Sequence, residues 1–244
     1  MFSLSGVNVA NYFVAREEEL SRLHQELYHH HDPSRRTVVI HGLGGMGKTQ
    51  LAVSYAKRHR HNYSAVFWLN ARDDTSLEQG YLQAAKRILH EHPEVVYVKN
   101  SVEERDPKKA VEAVKRWLDL KENGRWLAIF DNYDNPKLDG EGSNEVDGKH
   151  DGALAADREN AITLSSAYDI RPFLPDNDHG SVLITTRLSS VQLGRRIPLG
   201  KLQRLEHSLE LLSRESSRNN LADGKLLIVQ STEYRILLVN YVAL

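Results

Sequence analysis

The amino-acid sequence predicts an α/β domain, a parallel sheet of about five strands flanked by helices on both faces. Three observations carry that expectation. Short β-branched or aromatic apolar runs alternate with stretches of helical periodicity. The runs are apolar almost throughout, as strands covered on both faces must be. One of them leads through a glycine-rich loop directly into a helical stretch, a join that right-handed crossovers place at the carboxyl edge of a parallel sheet.

The elements follow in order. Glu17, Glu18 and Glu19 open a segment in which Leu20, Leu23 and Leu27 recur at helical spacing, and acids suit the positive end of a helix dipole. Asp32-Pro33-Ser34 is a turn, and TVVIH (37–41) is the first strand. From Lys48 the pattern is helical, with Leu51, Ala52, Tyr55 and Ala56 on one side. AVFWLNA (65–71) is a second strand; Ser76 and Gln79 then stand at capping-box spacing ahead of a helix carrying Leu77, Tyr81, Ala84 and Ile88. Asp106-Pro107 offers an N-cap and first-turn pair to a stripe of Val111, Val114 and Leu118, and Gly124 is read as the stop. WLAIFDN (126–132) and GSVLITTR (180–187) supply further strands, RRIPLGKL (195–202) is read as holding a short fifth, and Leu202, Leu205, Leu209 and Leu212 mark a last helix. Trp68, Trp117 and Trp126 sit within these apolar patterns and are read as core.

Residues 139–166 are glycine-rich and mostly acidic, which reads as a surface insertion. A calcium loop opening at Asp147 fails, because Lys149 and Arg158 fall where acidic ligands are required. The chain thus divides into an extension (1–11), the α/β domain (12–212) and an atypical tail (213–244) holding two β-rich apolar runs.

Composition narrows the function. With 32 Lys plus Arg against 33 Asp plus Glu, no overall field favours nucleic acid or an anionic membrane. The absence of cysteine excludes disulfides, thiolate metal sites and a catalytic thiol. The first residues lack a basic region followed by an apolar core, and the late apolar stretch is broken by Gln230, Glu233, Arg235 and Asn240. Neither a secretory signal nor a membrane span is predicted, and a cytoplasmic location is expected. His29, His30, His31, His59 and His61 lack a metal-ligand spacing and are read as solvated.

The chemistry concentrates in VVIHGLGGMGKTQLA (38–52). Gly42, Gly47, Lys48 and Thr49 fit G-x-x-x-x-G-K-[ST], with Leu43, Gly44, Gly45 and Met46 between and Gln50 following. Glycines let successive main-chain N–H groups wrap a phosphate, and the following helix adds its positive end. Lys48 can reach the outer phosphates, and the Thr49 hydroxyl can take one position on Mg²⁺. A carboxylate is also needed near the metal. Asp131, which follows four apolar residues in WLAIFDN, emerges at a strand end, where the acid that holds magnesium stands in such enzymes. Asn132 is neutral and Asp134 lies two residues beyond; without a well-placed base, attacking water is poorly activated.

Taken together, YFVAREEEL (12–20), HGLGGMGKTQLA, VFWLNAR, WLAIFDNYDNP and GSVLITTR, with IPLGKL as a weaker sixth piece, resemble the NB-ARC nucleotide-binding domain of the STAND class of P-loop NTPases, most closely its fungal NOD-like receptors. The resemblance implies that Val14 and Arg16 line the adenine pocket, with Ala15 standing where the family commonly has glycine. It implies that Arg187 faces the γ-phosphate from a strand lying between those of the glycine loop and Asp131. The ligands it implies are ADP or ATP with Mg²⁺; Lys48, Asp131 and Arg187 carry any hydrolysis, and Thr49 and Asp131 the metal. It further implies a resting ADP form that exchanges for ATP and self-associates in a full-length relative. After about Ser213 the family's helical and winged-helix subdomains are not legible, so the chain reads as truncated. Three functions stay open: a slow switch, a generic P-loop ATPase using Asp134 or a distant acid to activate water, and a nonfunctional remnant.

Overall fold

The computed structural model of the chain describes residues 16–28, 34–137 and 167–201, and the backbone of 227–230 and 236–239. Five strands, β1 (Arg36–His41), β2 (Ala65–Asn70), β3 (Trp126–Asp131), β4 (Ser181–Thr186) and β5 (Arg195–Pro198), form one sheet in the order β2-β3-β4-β1-β5. Every neighbouring pair is parallel. The expected α/β architecture is therefore present, and β4 lies between the strand of the glycine loop and that of Asp131.

Pleating divides the core into two layers. Successive side chains leave a strand on opposite faces, so Val38 and Ile40, Val66 and Trp68, Leu127 and Ile129, and Leu183 share one cluster. That layer is closed by α1 (Glu17–Leu27) and α2 (Lys48–Arg58), through Leu20, Leu23, Leu51 and Tyr55. Val39, Phe67, Ala128, Phe130, Val182 and Ile184 face the other way, against α3 (Asp74–Glu91), α4 (Val96–Glu103) and α5 (Pro107–Leu118). Central strands with no exposed face cannot tolerate polar alternation, which is why their middles are continuously apolar and their polar residues stand at the ends. Each aliphatic side chain so buried stabilises the fold by about 1.5–3 kcal/mol before chain entropy is counted. Trp68, Trp117 and Trp126 are all buried.

The structure corrects the sequence reading at several helix ends. The N-cap of α3 is Asp73, whose carboxylate accepts from Ser76 N at 2.6 Å, so Ser76 lies inside the first turn instead of capping it. An ionised side chain at the positive helix end outcompetes the serine. Gly124 does not stop α5; the helix ends at Leu118 with Asp119 N bonded to Lys115 O, and a 3₁₀ turn over Lys121–Asn123 intervenes. At the other end Asp106 caps as expected, accepting from Lys108 N and Lys109 N. Helix α4 was not anticipated, because only Val98 and Ser101 of its residues are buried. In the tail, β6 (Leu227–Gln230) and β7 (Ile236–Val239) pair antiparallel, from Leu227 opposite Val239 to Gln230 opposite Ile236. The expected helix at Leu202–Leu212, the insertion at 139–166, the extension at 1–11 and Val14 lie outside the described residues.

His59 departs from the expectation of a solvated side chain. Its ring stacks on His24 of α1, with centroids 4.0 Å apart and planes 10° from parallel, and packs beside Tyr55. Burial, then the charges of His24 and Arg58, push its pKa down from 6.5 to about 4. The unfolded chain therefore binds a proton that the folded chain resists. This contribution is present above pH 6.5 and is lost as the pH falls from about 6.5 toward about 4. The thermal midpoint of the wild type should fall more steeply between pH 7 and pH 5 than that of His59→Gln, and parallel profiles would refute the assignment.

Candidate functional site

The glycine loop runs from the carboxyl end of β1 into α2, at the edge where β3 and β4 also end. Its first residue is fixed by crowding. Gly42 N donates to Thr186 O at 3.3 Å, and Leu199 N, just beyond β5, donates to His41 O at 2.8 Å. A Cβ on Gly42 would lie 2.4 Å from Leu199 O, so no larger residue fits. Gly47 caps α2 in a left-handed conformation (φ 85°). Gly44 and Gly45 form the exposed apex, and Met46 is half-buried against the layer under α1 and α2. Gln50 occupies the first turn of α2 and is half-buried.

Lys48 turns its ammonium back over the loop, donating to Gly42 O at 2.7 Å and Leu43 O at 2.9 Å. Burial lowers its pKa. Asp134 and Asp131 oppose that shift, and Arg187 adds to it. A partly desolvated cation held by carbonyls is an incomplete arrangement, and an anion entering the loop would compensate its charge.

Asp131 ends β3 and is 4% exposed. Burial raises its pKa, and the hydroxyls of Thr185 and Thr49 oppose the rise by donating to it. Thr49 Oγ1 lies 3.0 and 3.2 Å from the two carboxylate oxygens, Thr185 Oγ1 lies 2.5 Å from Oδ1, and Asn132 Nδ2 reaches Oδ2 at 3.2 Å. Thr49 and Asp131 thus bring hard oxygen donors together beside the cradle, a donor set suited to Mg²⁺, which takes one or two protein oxygens together with phosphate and water. These residues fit the metal, and a dication would relieve the burial of the carboxylate.

Two other expected site residues have partners of their own. Arg16, 6% exposed, precedes α1 and donates from Nη2 to Met46 O and to Gly200 O, each at 2.9 Å, while Nη1 meets Glu19 at 2.9 Å. It therefore ties the glycine loop to the start of α1 and to the chain beyond β5, and its described partners are all protein groups. Arg187 follows β4. Its main-chain N donates to Asp134 Oδ1 at 2.7 Å, and its Nε meets Oδ2 at 2.8 Å. The Arg187 side chain is 66% exposed, and a Cβ on Gly44 would lie 3.9 Å from its Nε. Asp134, considered above as a base for water, thus has both oxygens committed.

The structure therefore brings Gly42 through Gln50, Asp131 and Arg187 to one edge and places Arg16 behind the loop. Sequence reasoning missed the roles of Thr185 and Asn132, which hold Asp131, of Leu199, whose carbonyl crowds Gly42, and of Gly200, whose carbonyl accepts from Arg16. Thr185 was visible only as part of ITTR; its role needs the register that sets Phe130 opposite Ile184. Among the described residues no helix is long and apolar enough to cross a membrane.

Comparison with known proteins agrees with this geometry. The model of the AAA ATPase domain matches residues 12–169. A protein of Hyaloscypha variabilis named nucleotide-binding leucine-rich repeat (NLR)-like protein is 29% identical over 178 residues, a match that covers 72% of this chain and 16% of that relative. The chain thus spans only a small part of its relative's length. Among solved structures, Cdc6p from Pyrobaculum aerophilum is similar over 87% of this chain and 52% of its own, at 12% identity and a TM-score of 0.48. A chain of the E. coli MS115-1 HORMA:CdnC:Trip13 complex is similar over 76% and 55%, at 16% identity and a TM-score of 0.34. The fold assignment rests on the sheet and the family match, not on these two weak likenesses. A strand, glycine loop and helix with Lys48 and Thr49 beside Asp131, matched to that domain over more than half its length, make this chain a member of the AAA ATPase domain family, an NB-ARC-like P-loop NTPase domain of the STAND class related to an NLR-like protein.

Proposed function

We propose that the chain is a switch domain that binds ADP or ATP with Mg²⁺ and hydrolyses ATP slowly at most, within an NLR-like signalling receptor of the immune or incompatibility type. One observation carries the choice of switch over enzyme. The two carboxylates whose charges reach Lys48 are both engaged: Asp131 by Thr49, Thr185 and Asn132, and Asp134 by Arg187. A general base must be within reach of the attacking water and free to take its proton, and these partners already compete for both carboxylates.

In this reading the N–H groups of Leu43 to Lys48 hold the inner phosphates, Lys48 neutralises the outer ones, and Gln50 lies beside them in the first turn of α2. Thr49 and Asp131 hold Mg²⁺, which when bound offsets phosphate charge. Arg187 is the cation placed to sense a terminal phosphate. Val14 and Arg16 border the base, Arg16 through the loop that it braces. A switch of this kind works only through different affinities of its two states for the two nucleotides. The site belongs to residues 12–212, with 139–166 as an insertion; in this reading a full-length relative acts in the cytoplasm and can self-associate there.

The test is to denature the purified chain, separate any released nucleotide by chromatography, and follow ATP turnover on a parallel sample. Retained ADP with turnover below about 1 per second is expected, since enzymes commonly run at about 1 to 10³ per second. Sustained turnover within that span would favour a generic ATPase. A chain that carries no nucleotide and has no affinity for ADP or ATP would defeat the proposal.

A further inference from the structure

The Asp134–Arg187 pair bears on which nucleotide the site prefers, an inference that rests on the nucleotide-binding function proposed above. Asp134 is a rigid anchor. Its own N donates to Asn132 O at 2.8 Å; Asn132 is held left-handed at φ 68° and donates from its N to Thr185 Oγ1 at 3.0 Å. The loop from Asp131 to Asp134 is thus bonded to β4 before its carboxylate meets Arg187. That carboxylate takes both the main-chain N and the Nε of one residue, a charge-assisted double contact that fixes where the guanidinium points. The guanidinium in turn lies near the loop apex, since a Cβ added at Gly44 would come within 3.9 Å of its Nε.

We propose that Asp134 biases the site toward a nucleoside diphosphate over a triphosphate by holding the Arg187 guanidinium back from the terminal phosphate. The two phosphates of a diphosphate are served by loop amides and Lys48, none of which needs Arg187 to move. A further phosphate adds negative charge on the outer side of the loop, where Lys48 must be shared and the second cation, Arg187, is already neutralised by Asp134. It can recruit Arg187 only by detaching it from Asp134, and a bare carboxylate then remains beside it. The diphosphate incurs neither cost. Asp134 therefore acts on specificity by occupying the residue that would otherwise report the extra phosphate.

Dissociation constants for Mg-ADP and for a Mg-bound, non-hydrolysable ATP analogue, measured calorimetrically on the full chain, test this. Asp134→Asn keeps an oxygen that can accept from Arg187 N but removes the charge. It should shift the affinity ratio toward the triphosphate by about three- to fivefold, the range open to a part-exposed ion pair. In an Arg187→Ala background the same substitution should shift the ratio by less than about twofold, because direct repulsion at this exposure is largely screened. An unchanged ratio in Asp134→Asn, with both nucleotides still bound, overturns the inference and leaves nucleotide binding intact. A shift that persists in full without Arg187 also overturns it, by assigning the effect to Asp134 alone. Failure of the wild type to bind either nucleotide removes the functional reading, and the inference with it. Should Asp134→Asn lose its cooperative unfolding transition, Asp134→Ser provides the same ratio.

Discussion

Lys48→Ala should weaken the binding of ADP and ATP by about ten- to a hundredfold, the loss expected when hydrogen bonds to a charged group are removed, and leave the chain folded. The asymmetry follows from the partners of Lys48. Its ammonium donates to two carbonyls of the loop it belongs to, Gly42 O and Leu43 O, and Leu43 at least is exposed, so water can replace the lost donor. A phosphate held by the remaining amides has no such substitute for a cation. Urea unfolding should therefore move by no more than about 1 kcal/mol, the scale of a replaceable hydrogen bond, with an unchanged slope. Lys48→Arg should not restore binding, because a planar fork cannot take the place of a compact ammonium beneath the loop. Dissociation constants for the alanine variant within twofold of wild type would mean that Lys48 does not hold phosphate.

The second large effect is on stability. Gly180 precedes β4 with φ 83°, and an added Cβ would lie 2.2 Å from Cε2 and 2.5 Å from Cδ2 of Trp126. The ring has nowhere to go: Trp126 is fully buried, and its Nε1 donates at 3.0 Å to the carbonyl of Leu118, the last residue of α5. The backbone cannot easily move either, because Gly180 O accepts from Arg36 N at 3.1 Å, at the start of the β1–β4 ladder. Gly180→Ala combines overpacking, about 1–3 kcal/mol, with a left-handed alanine, about 1–2 kcal/mol, and should lower the unfolding free energy by about 2–4 kcal/mol, within the sum of those ranges. A denaturant midpoint equal to that of wild type would contradict this. Since Gly180 precedes β4 and the site lies at that strand's other end, nucleotide affinity measured well below the transition should be little changed.

The sheet was legible because it is buried on both sides. The middles of β1, β3 and β4 (38–40, 127–130 and 182–184) are unbroken apolar runs with polar residues confined to the ends, and the short β5 was found within RRIPLGKL although Ile197 alone of RRIP is buried. The glycine loop was legible because its chemistry depends on spacing within eight consecutive residues. What escaped was non-local or weakly patterned. α4 buries too little to carry a stripe. Asp73 won the α3 cap from Ser76 through charge, which a spacing rule does not weigh. The groups that orient Asp131 come from positions as far off as Thr49 and Thr185, and strand register decides which of them meet. Arg16 likewise finds Met46 and Gly200 across 30 and 184 positions of sequence, so its bracing role could not be read from FVAR.

That brace has a mechanical meaning. One guanidinium grips Met46 and Gly200 together, and Leu199 O already presses against Gly42 from the same side. The width of the loop and the path of the chain leaving β5 are therefore a single degree of freedom: a pull exerted from beyond residue 200 is delivered at both ends of the cradle, and a ligand that spreads the cradle must push back along the same line.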